Sequence, residues 1–265
     1  MDRAFFEKLS AAARRAIANV ADLVPDNKDK AGFDPVTEAD RAAERAMRDL
    51  IEVHHPDDAI WGEEYGWSRE GATRVWSLDP IDGTRAFICG LPSWAVLAGV
   101  IDDGAHVAGM IDLPDIDALY VGDADEATLN GNPIRTSDCT DLASAKVATT
   151  DPYLFDADER SRFERLRDAA RLTRFGMDAM AFAKVASGEL DLATDTGLKR
   201  HDYDALVAVV RGAGGHVGNW SGGDDLSGGD VIAAASEALY EQAVEALSQT
   251  ACPAAHPDAQ AHWKL

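Results

Sequence analysis

Cysteine, basic side chains and long apolar segments are all scarce in this chain of 265 residues. Cys89, Cys139 and Cys252 show neither a CxxC spacing nor a Cys–His metal pattern, which argues against a disulfide framework. Lysine and arginine number 25 against 47 acidic residues, and the net charge of -22 disfavours nucleic-acid backbones as partners. No apolar segment is long enough to cross a membrane, and the first residues lack the apolar core of a signal peptide. We therefore expect a cytoplasmic protein.

Apolar residues make up 46% of the chain, which is enough for a substantial core. Their spacing predicts helices at 4–23, 39–53, 160–171, 179–187, 205–210 and 237–247, and strands at 59–61, 74–79, 94–101, 106–112, 117–121, 145–149, 190–194 and 231–234. The first half is therefore mixed α+β, and the second half is α/β. Turn residues favour a soft boundary near 135, which divides the chain into 1–135, 136–250 and a loosely ordered tail, 251–265.

The sequence LDPIDGT carries the strongest chemical signal in the chain. Asp79 and Asp82 lie three residues apart at the end of a predicted strand. Mg²⁺ prefers oxygen ligands, and these two carboxylates together with the Ile81 carbonyl offer several of them. The backbone amides near Gly83 and Thr84 would then face a phosphate. The alternative interpretation is an Asp-Pro and Asp-Gly turn that closes a surface loop.

Other acidic residues occur where predicted elements begin or end. Glu63 and Glu64 follow a short predicted strand, so Glu63 could reach the same metal ions, and Glu64 is a further candidate for the site. Asp40 lies in the first turn of the second predicted helix, and Asp202 opens a later apolar helix. Helix capping is the competing interpretation for both aspartates, and spacing alone favours capping for Asp40.

Five motifs follow the order and approximate spacing of one known family. They are PVTEAD at 35–40, GEE at 62–64, LDPIDGT at 78–84, NG at 130–131 and HDYDALVAVVRGAGG at 201–215. With them, the chain resembles the inositol monophosphatase-like, magnesium-dependent, lithium-sensitive phosphatases over roughly residues 5–244. DGTRAFICGLPSW and DTGLKRHD look most like the histidinol-phosphate phosphatase branch. The resemblance implies a layered α-β-α-β-α sandwich of the inositol monophosphatase type, and we expect a homodimer.

The resemblance also implies a set of metal ligands. Glu63, Asp79 and the Ile81 carbonyl would hold one Mg²⁺, while Asp79, Asp82 and Asp202 would hold a second. Glu63 would also help to place a weaker third ion through water molecules. Two divalent ions suit the hydrolysis of a phosphate monoester, because they neutralise the dianion, lower the pKa of a bound water and stabilise the leaving oxygen.

Further roles follow from the same resemblance. The Thr84 hydroxyl, oriented by Asp40, would polarise the attacking water, which makes Asp40 catalytic rather than a simple cap. The backbone amides of Gly83 and Thr84 would bind phosphate oxygens. Lys30 falls where the family often has a lysine near the metal site, and Lys28 is the competing candidate.

Substrate specificity is expected from side chains beyond the phosphate. Asp178 and Asp195 lie at positions where the resemblance implies contacts with the polar groups of the substrate, and both could bind the ammonium or imidazole of histidinol. For Asp178 the alternative is a helix cap, and for Asp195 it is a strand-end turn. Arg85 could reach the phosphate or pair with an acid instead.

Two departures from the family pattern leave the ligands intact. His201 replaces an aromatic residue before the metal-binding aspartate, and Arg211 stands at a commonly acidic position. We therefore expect a Mg²⁺-dependent phosphatase that acts on a small phosphorylated metabolite, with histidinol phosphate as the leading substrate. The alternatives are an inositol-1-phosphatase or broad sugar-phosphate phosphatase, and a catalytically idle relative with a binding or regulatory role.

Overall fold

The computed structural model describes residues 3–20, 26–27 and 35–248. The helices in these ranges are α1 (Arg3–Ala18), α2 (Glu38–His54), α3 (Thr84–Ile88), α4 (Ala157–Ala169), α5 (Ala179–Ala186), α6 (Arg200–Gly212) and α7 (Glu237–Ser248). The strands are β1 (Asp26–Asn27), β2 (Pro35–Val36), β3 (Ala59–Gly62), β4 (Gly66–Ser68), β5 (Arg74–Asp82), β6 (Ala95–Asp102), β7 (Ala105–Leu113), β8 (Ala118–Asp123), β9 (Ala127–Leu129), β10 (Asn132–Ile134), β11 (Lys146–Ala148), β12 (Leu172–Arg174), β13 (Leu192–Asp195), β14 (His216–Gly218) and β15 (Val231–Ala234).

Two large sheets organise the described part of the chain. The first has eight strands in the order β10-β9-β8-β7-β6-β5-β3-β4, and only its β3–β5 pair is parallel. The second has five strands in the order β12-β11-β13-β15-β14, with β11 parallel to both of its neighbours. Strands β1 and β2 form a separate short pair. The predicted boundary near 135 falls between the two sheets in sequence, and the division into halves stays a prediction.

Alternating side chains of the first sheet separate two apolar layers, as the two faces of a strand require. On β6, Val96 and Ala98 belong to the cluster that α1 and α2 cover. Ala95 and Leu97 point to the other face and join the cluster of α5 and α6. Helices α5 and α6 therefore lie between the two sheets.

The second sheet repeats this alternation. On β15, Val231 and Ala233 belong to the central cluster, whereas Ile232 and Ala234 pack in a third cluster with α4 and α7. The order of layers is thus α1 and α2, first sheet, α5 and α6, second sheet, α4 and α7. This arrangement confirms the predicted α-β-α-β-α sandwich.

A row of glycines lets α6 lie directly on the first sheet. Gly99, Gly109 and Gly122 occupy adjacent strands β6, β7 and β8, and we call them the glycine row. A Cβ atom at Gly109 would stand 2.3 Å from the Ala205 carbonyl oxygen, and one at Gly122 would stand 2.5 Å from the Val209 Cα. Because any side chain there would separate helix from sheet, the row fixes the depth at which α6 lies.

Several predicted boundaries need correction. The first helix was expected to continue to residue 23, but it ends at Ala18, where the amides of Asn19 and Val20 donate to carbonyls three residues earlier. The predicted turn at 130–133 is shorter, because Asn132 already pairs with Leu129 in the hairpin of β9 and β10. The predicted tail, 251–265, lies outside the described residues. Within the described ranges, no helix has the length and apolar character needed to span a membrane.

Candidate active site

The motif LDPIDGT forms the end of β5 and the turn that follows it. The pairing of β5 with β6 is regular up to Asp79 and shifts register before Asp82, so the backbone between them leaves the regular ladder. Asp79 is buried, and its Oδ1 accepts a hydrogen bond of 3.0 Å from the Ile81 amide. Ile81 is itself buried and accepts a hydrogen bond of 3.1 Å from the Thr84 hydroxyl through its carbonyl. The motif therefore does not close an exposed surface loop, which was the alternative interpretation.

Asp79, Asp82 and Asp202 form a compact carboxylate cluster. One oxygen of each lies within 4.8 Å of the others. Burial raises the pKa of Asp79 and Asp82 well above the usual range. The negative charges of Glu63, Asp82 and Asp202 raise the pKa of Asp79 further. Those of Asp178 and Asp202 do the same for Asp82. Burial also raises the pKa of Asp202. Hard oxygen donors with unfavourable mutual repulsion suit a divalent cation, which would relieve that repulsion.

Glu63 lies in the turn between β3 and β4, beside the cluster. Its amide donates to the Leu78 carbonyl at 3.1 Å, one residue before Asp79, and its charge raises the pKa of Asp79. Glu63 is half-buried and borders the same cavity as the three aspartates. Glu64 does not border this cavity, and its backbone amide donates to the Glu44 carboxylate.

Asp202 reaches the cluster from α6, the helix that lies on the glycine row. Its Oδ2 accepts a hydrogen bond of 2.7 Å from the Lys199 amide, so it also caps the helix. Asp202 thus both caps α6 and takes part in the carboxylate cluster. The Nε2 of His201 lies 3.3 Å from the Asp202 Oδ1, and the attraction between their charges lowers the pKa of Asp202 against the effect of burial.

Asp82 also connects the cluster to α5. Its Oδ2 accepts a hydrogen bond of 2.8 Å from the Ala179 amide, at the first residue of that helix. Asp178 occupies the N-cap position but makes no capping bond, so the capping interpretation for its side chain is wrong. Instead, its Oδ2 accepts a hydrogen bond of 3.3 Å from the Ser93 hydroxyl. A Cβ at Gly83 would stand 2.9 Å from the Asp178 carboxyl carbon, so these residues are in close contact.

The predicted contact between Asp40 and Thr84 is not made in this structure. Asp40 Oδ2 accepts hydrogen bonds from the Thr37 amide at 2.7 Å and the Thr37 hydroxyl at 2.6 Å, which caps α2. The Thr84 hydroxyl donates to the Ile81 carbonyl instead. Asp40 Oδ1 is buried without a hydrogen-bond partner, and burial raises the pKa of this carboxyl. One carboxylate oxygen therefore remains free for another interaction.

Asp195 ends β13 and faces the cavity with its hydrogen bonds already made. Its Oδ1 accepts from the Thr149 hydroxyl at 2.7 Å and the Thr150 amide at 3.0 Å, and its Oδ2 accepts from the Thr150 hydroxyl at 3.0 Å. Burial raises the pKa of Asp195 to about 6 in spite of these bonds. Arg85 borders the same cavity and is exposed, and its charge counteracts the burial that raises the pKa of Asp178.

A cavity of about 310 Å³ brings these groups together. It is bordered by the predicted residues Glu63, Asp79, Ile81, Asp82, Gly83, Thr84, Arg85, Asp178, Asp195 and Asp202. Thr150, Asp151, Leu154, Phe155 and Leu198 also border it and were not predicted. Leu198 lies within DTGLKRHD, whereas the other four lie in the loop after β11, whose sequence carries no motif and which only the fold brings to the cavity. Lys28 and Lys30 lie outside the described residues.

The chain is similar to known proteins in both sequence and structure. The sequence profile of the inositol monophosphatase family matches residues 3–251. The chain is 39% identical over 231 residues to the bifunctional phosphatase IMPL2 of Arabidopsis thaliana, covering 83% of this chain and 67% of that protein. It is 34% identical over 215 residues to a histidinol-phosphatase of Chlorobaculum parvum, covering 80% and 83% respectively.

Solved structures agree with the sequence match. An inositol monophosphatase from Zymomonas mobilis superposes with a TM-score of 0.83 at 38% identity, covering 93% of this chain and 97% of that one. Relatives at 34% identity also include an inositol-1-monophosphatase of Mycolicibacterium smegmatis, so the names of the relatives divide between substrates. The family profile matches nearly the whole chain, and the shared layered fold and the carboxylate cluster agree with it. This chain therefore belongs to the inositol monophosphatase family and is a phosphatase of that family.

Proposed function

We propose that the protein is a Mg²⁺-dependent histidinol-phosphate phosphatase that converts L-histidinol phosphate and water to L-histidinol and phosphate. The observation that carries the metal dependence is the cluster of Asp79, Asp82 and Asp202, in which one oxygen of each carboxylate lies within 4.8 Å of the others and the like charges repel. Two Mg²⁺ ions, with a weaker third, are the proposed complement. A cytoplasmic homodimer is the proposed state of the enzyme.

The residues present fit such ions by their chemistry. Glu63, Asp79 and the Ile81 carbonyl would hold one ion, and Asp79, Asp82 and Asp202 would hold a second. Bound Mg²⁺ supplies charge neutralisation of the phosphate, a lowered pKa of bound water and stabilisation of the leaving oxygen. The Ile81 carbonyl now accepts a hydrogen bond from a neighbouring hydroxyl, so it already points towards the turn of the motif.

The remaining groups of the motif orient the reactants. The backbone amides of Gly83 and Thr84 begin α3 without a side-chain cap, and we propose that they donate to the phosphate oxygens. The Thr84 hydroxyl would donate its hydrogen bond to Asp40 instead of to the Ile81 carbonyl. Its oxygen would then accept a hydrogen bond from the attacking water. The partnerless Oδ1 of Asp40 supports this exchange of hydrogen bonds, since a buried carboxylate oxygen without a donor is unfavourable.

The part of the cavity beyond the phosphate site suits a cationic, partly apolar alcohol. Asp178, Asp195 and Asp151 supply negative charge, and Leu154 and Phe155 supply apolar surface. An ammonium group can pair with the acids while an imidazole ring packs on the apolar side chains. Inositol is uncharged and bears several hydroxyls, so it would use neither feature fully. The relatives named histidinol-phosphatase support the same choice.

A substrate panel tests this proposal. Phosphate release is measured with L-histidinol phosphate, inositol-1-phosphate, a sugar phosphate and a nucleotide 3'-phosphate at saturating Mg²⁺. The expected result is a kcat/KM for L-histidinol phosphate well above the others, abolished by EDTA and by Asp82→Asn, which controls for contaminating phosphatases. Preference for inositol-1-phosphate would support the alternative substrate class. Absence of turnover with every ester would refute the proposal in favour of an idle relative.

A further inference from the structure

Glu44 is a buried acid on α2 that no motif identified. Its side chain is 0% exposed and lies against the turn that carries Glu63. Its Oε2 accepts a hydrogen bond of 2.7 Å from the Glu64 amide, and its Oε1 accepts one of 3.2 Å from the Tyr65 amide. The carboxylate therefore holds the backbone immediately after Glu63.

The approach of this carboxylate depends on the residue before Glu63. A Cβ atom at Gly62 would stand 2.0 Å from the Glu44 Oε1. Gly62 is also fixed in β3, where it pairs with Leu78 of β5 and with Gly66 of β4. The turn is thus held by strand pairing on one side of Glu63 and by Glu44 on the other.

Arg48 keeps the carboxylate of Glu44 in this position. Its Nε donates to Glu44 Oε1 at 2.7 Å, and another guanidinium nitrogen donates to the Gly66 carbonyl, where the turn ends. The Arg48 side chain is 12% exposed, so this ion pair is largely shielded from water. A buried carboxylate that accepts three hydrogen bonds, one of them charge-assisted, is a rigid anchor.

We propose that Glu44 is a positioning residue for Glu63 and thereby controls the affinity of the divalent cation to which Glu63 contributes. This inference rests on the proposed metal site. Glu44 does not border the cavity, so it acts through the backbone of residues 63–65 and not by contact with the ion. Loss of a supporting hydrogen bond around a ligand typically lowers metal affinity by 10- to 100-fold. The second proposed ion should be less affected, because Asp82 belongs to β5 and Asp202 to α6, and neither is part of this turn.

Mn²⁺ binding to the purified protein tests the proposal without reference to catalysis. Free Mn²⁺ is followed by electron paramagnetic resonance for the wild type and for Glu44→Gln, in which one acceptor oxygen becomes a donor facing a backbone amide. The expected result is an increase of about 10-fold in one dissociation constant. The Mg²⁺ concentration for half-maximal activity should rise in parallel, while kcat at saturating Mg²⁺ should recover.

Asp112→Asn is the matched control, since Asp112 is another fully buried carboxylate bonded to an arginine, Arg14, but it does not border the cavity. It should lower the melting temperature without changing Mn²⁺ binding. Gly62→Ala provides a second variant, because it displaces the Glu44 carboxylate without removing it and should weaken the same ion. Wild-type Mn²⁺ binding in both Glu44→Gln and Gly62→Ala would overturn the inference. Absence of Mn²⁺ binding in the wild type would refute the proposed metal site itself.

Discussion

Replacing Asp178 by glycine should stabilise the protein relative to replacing it by alanine. Asp178 adopts φ 46° and ψ -145°, a conformation that glycine tolerates and residues with a Cβ do not. Such a residue stores on the order of 1–3 kcal/mol of strain, whereas glycine loses about 0.5–1 kcal/mol through the entropy of the unfolded chain. Both substitutions remove the carboxylate near Asp82 and its bond to Ser93, so these effects cancel in the comparison.

The difference in the free energy of unfolding should therefore centre on about 1 kcal/mol in favour of Asp178→Gly, or roughly 2–4 °C in melting temperature. Urea unfolding of the metal-free protein in EDTA measures it. Equal stability of the two variants would show that the backbone at this position is not strained. Both variants should raise KM for L-histidinol phosphate to the same extent, because each lacks the same charge. The same pair of substitutions at Asp103, an exposed residue with φ 49°, should leave KM unchanged.

Three further predictions concern the site. Asp82→Asn and Asp202→Asn should each nearly abolish phosphate release, and near-wild-type rates would exclude that residue as a ligand. In EDTA each variant should raise the urea midpoint of unfolding, because it removes one repelling charge from the cluster. Thr84→Ala and Asp40→Asn should each lower kcat strongly and change KM less in steady-state assays. The double variant should be scarcely slower than the slower of the two single variants. Multiplicative losses of kcat would indicate that Asp40 serves only as a helix cap. Folding raises the pKa of Asp195 from 3.8 to about 6, so the folded state favours the protonated carboxyl. The stability that this protonation contributes is fully present below pH 3.8 and is lost as pH rises through about 6. Asp195→Asn should remove this dependence from urea unfolding curves recorded between pH 4 and 8, and an unchanged curve would contradict the assignment.

Part of the carboxylate cluster could be predicted from sequence because two of its members lie in one short motif. Asp79 and Asp82 are close in the chain, and β5 carries both of them to one end of the sheet. Asp202 joins them only through the family resemblance, because its own sequence context fits a helix cap equally well. The layered fold followed from the same motifs through the family resemblance. Short-range spacing alone records only the Asp79 and Asp82 pair.

Other features depend on tertiary contacts that spacing does not record. Glu44 looks like any exposed acid of an amphipathic helix until the turn after β3 packs against it. The strands β4, β9 and β12 have three residues each and lack a periodic pattern, so they went unpredicted. Asp82 caps α5 across 97 residues of sequence, and nothing near either residue indicates that bond.

The glycine row affects how far apart the members of the carboxylate cluster lie. Asp202 belongs to a helix, while Asp79 and Asp82 belong to the sheet on which that helix lies. The spacing between these carboxylates therefore depends on the distance between the backbone of α6 and the backbone of the sheet. At the glycine row no side chain separates the two backbones, so this distance is short. Side chains can change rotamer when a neighbour changes, but a direct contact between two backbones cannot adjust in this way. A single methyl group at Gly109, on a strand that carries none of these carboxylates, would act as a spacer that lifts α6 and widens the cluster.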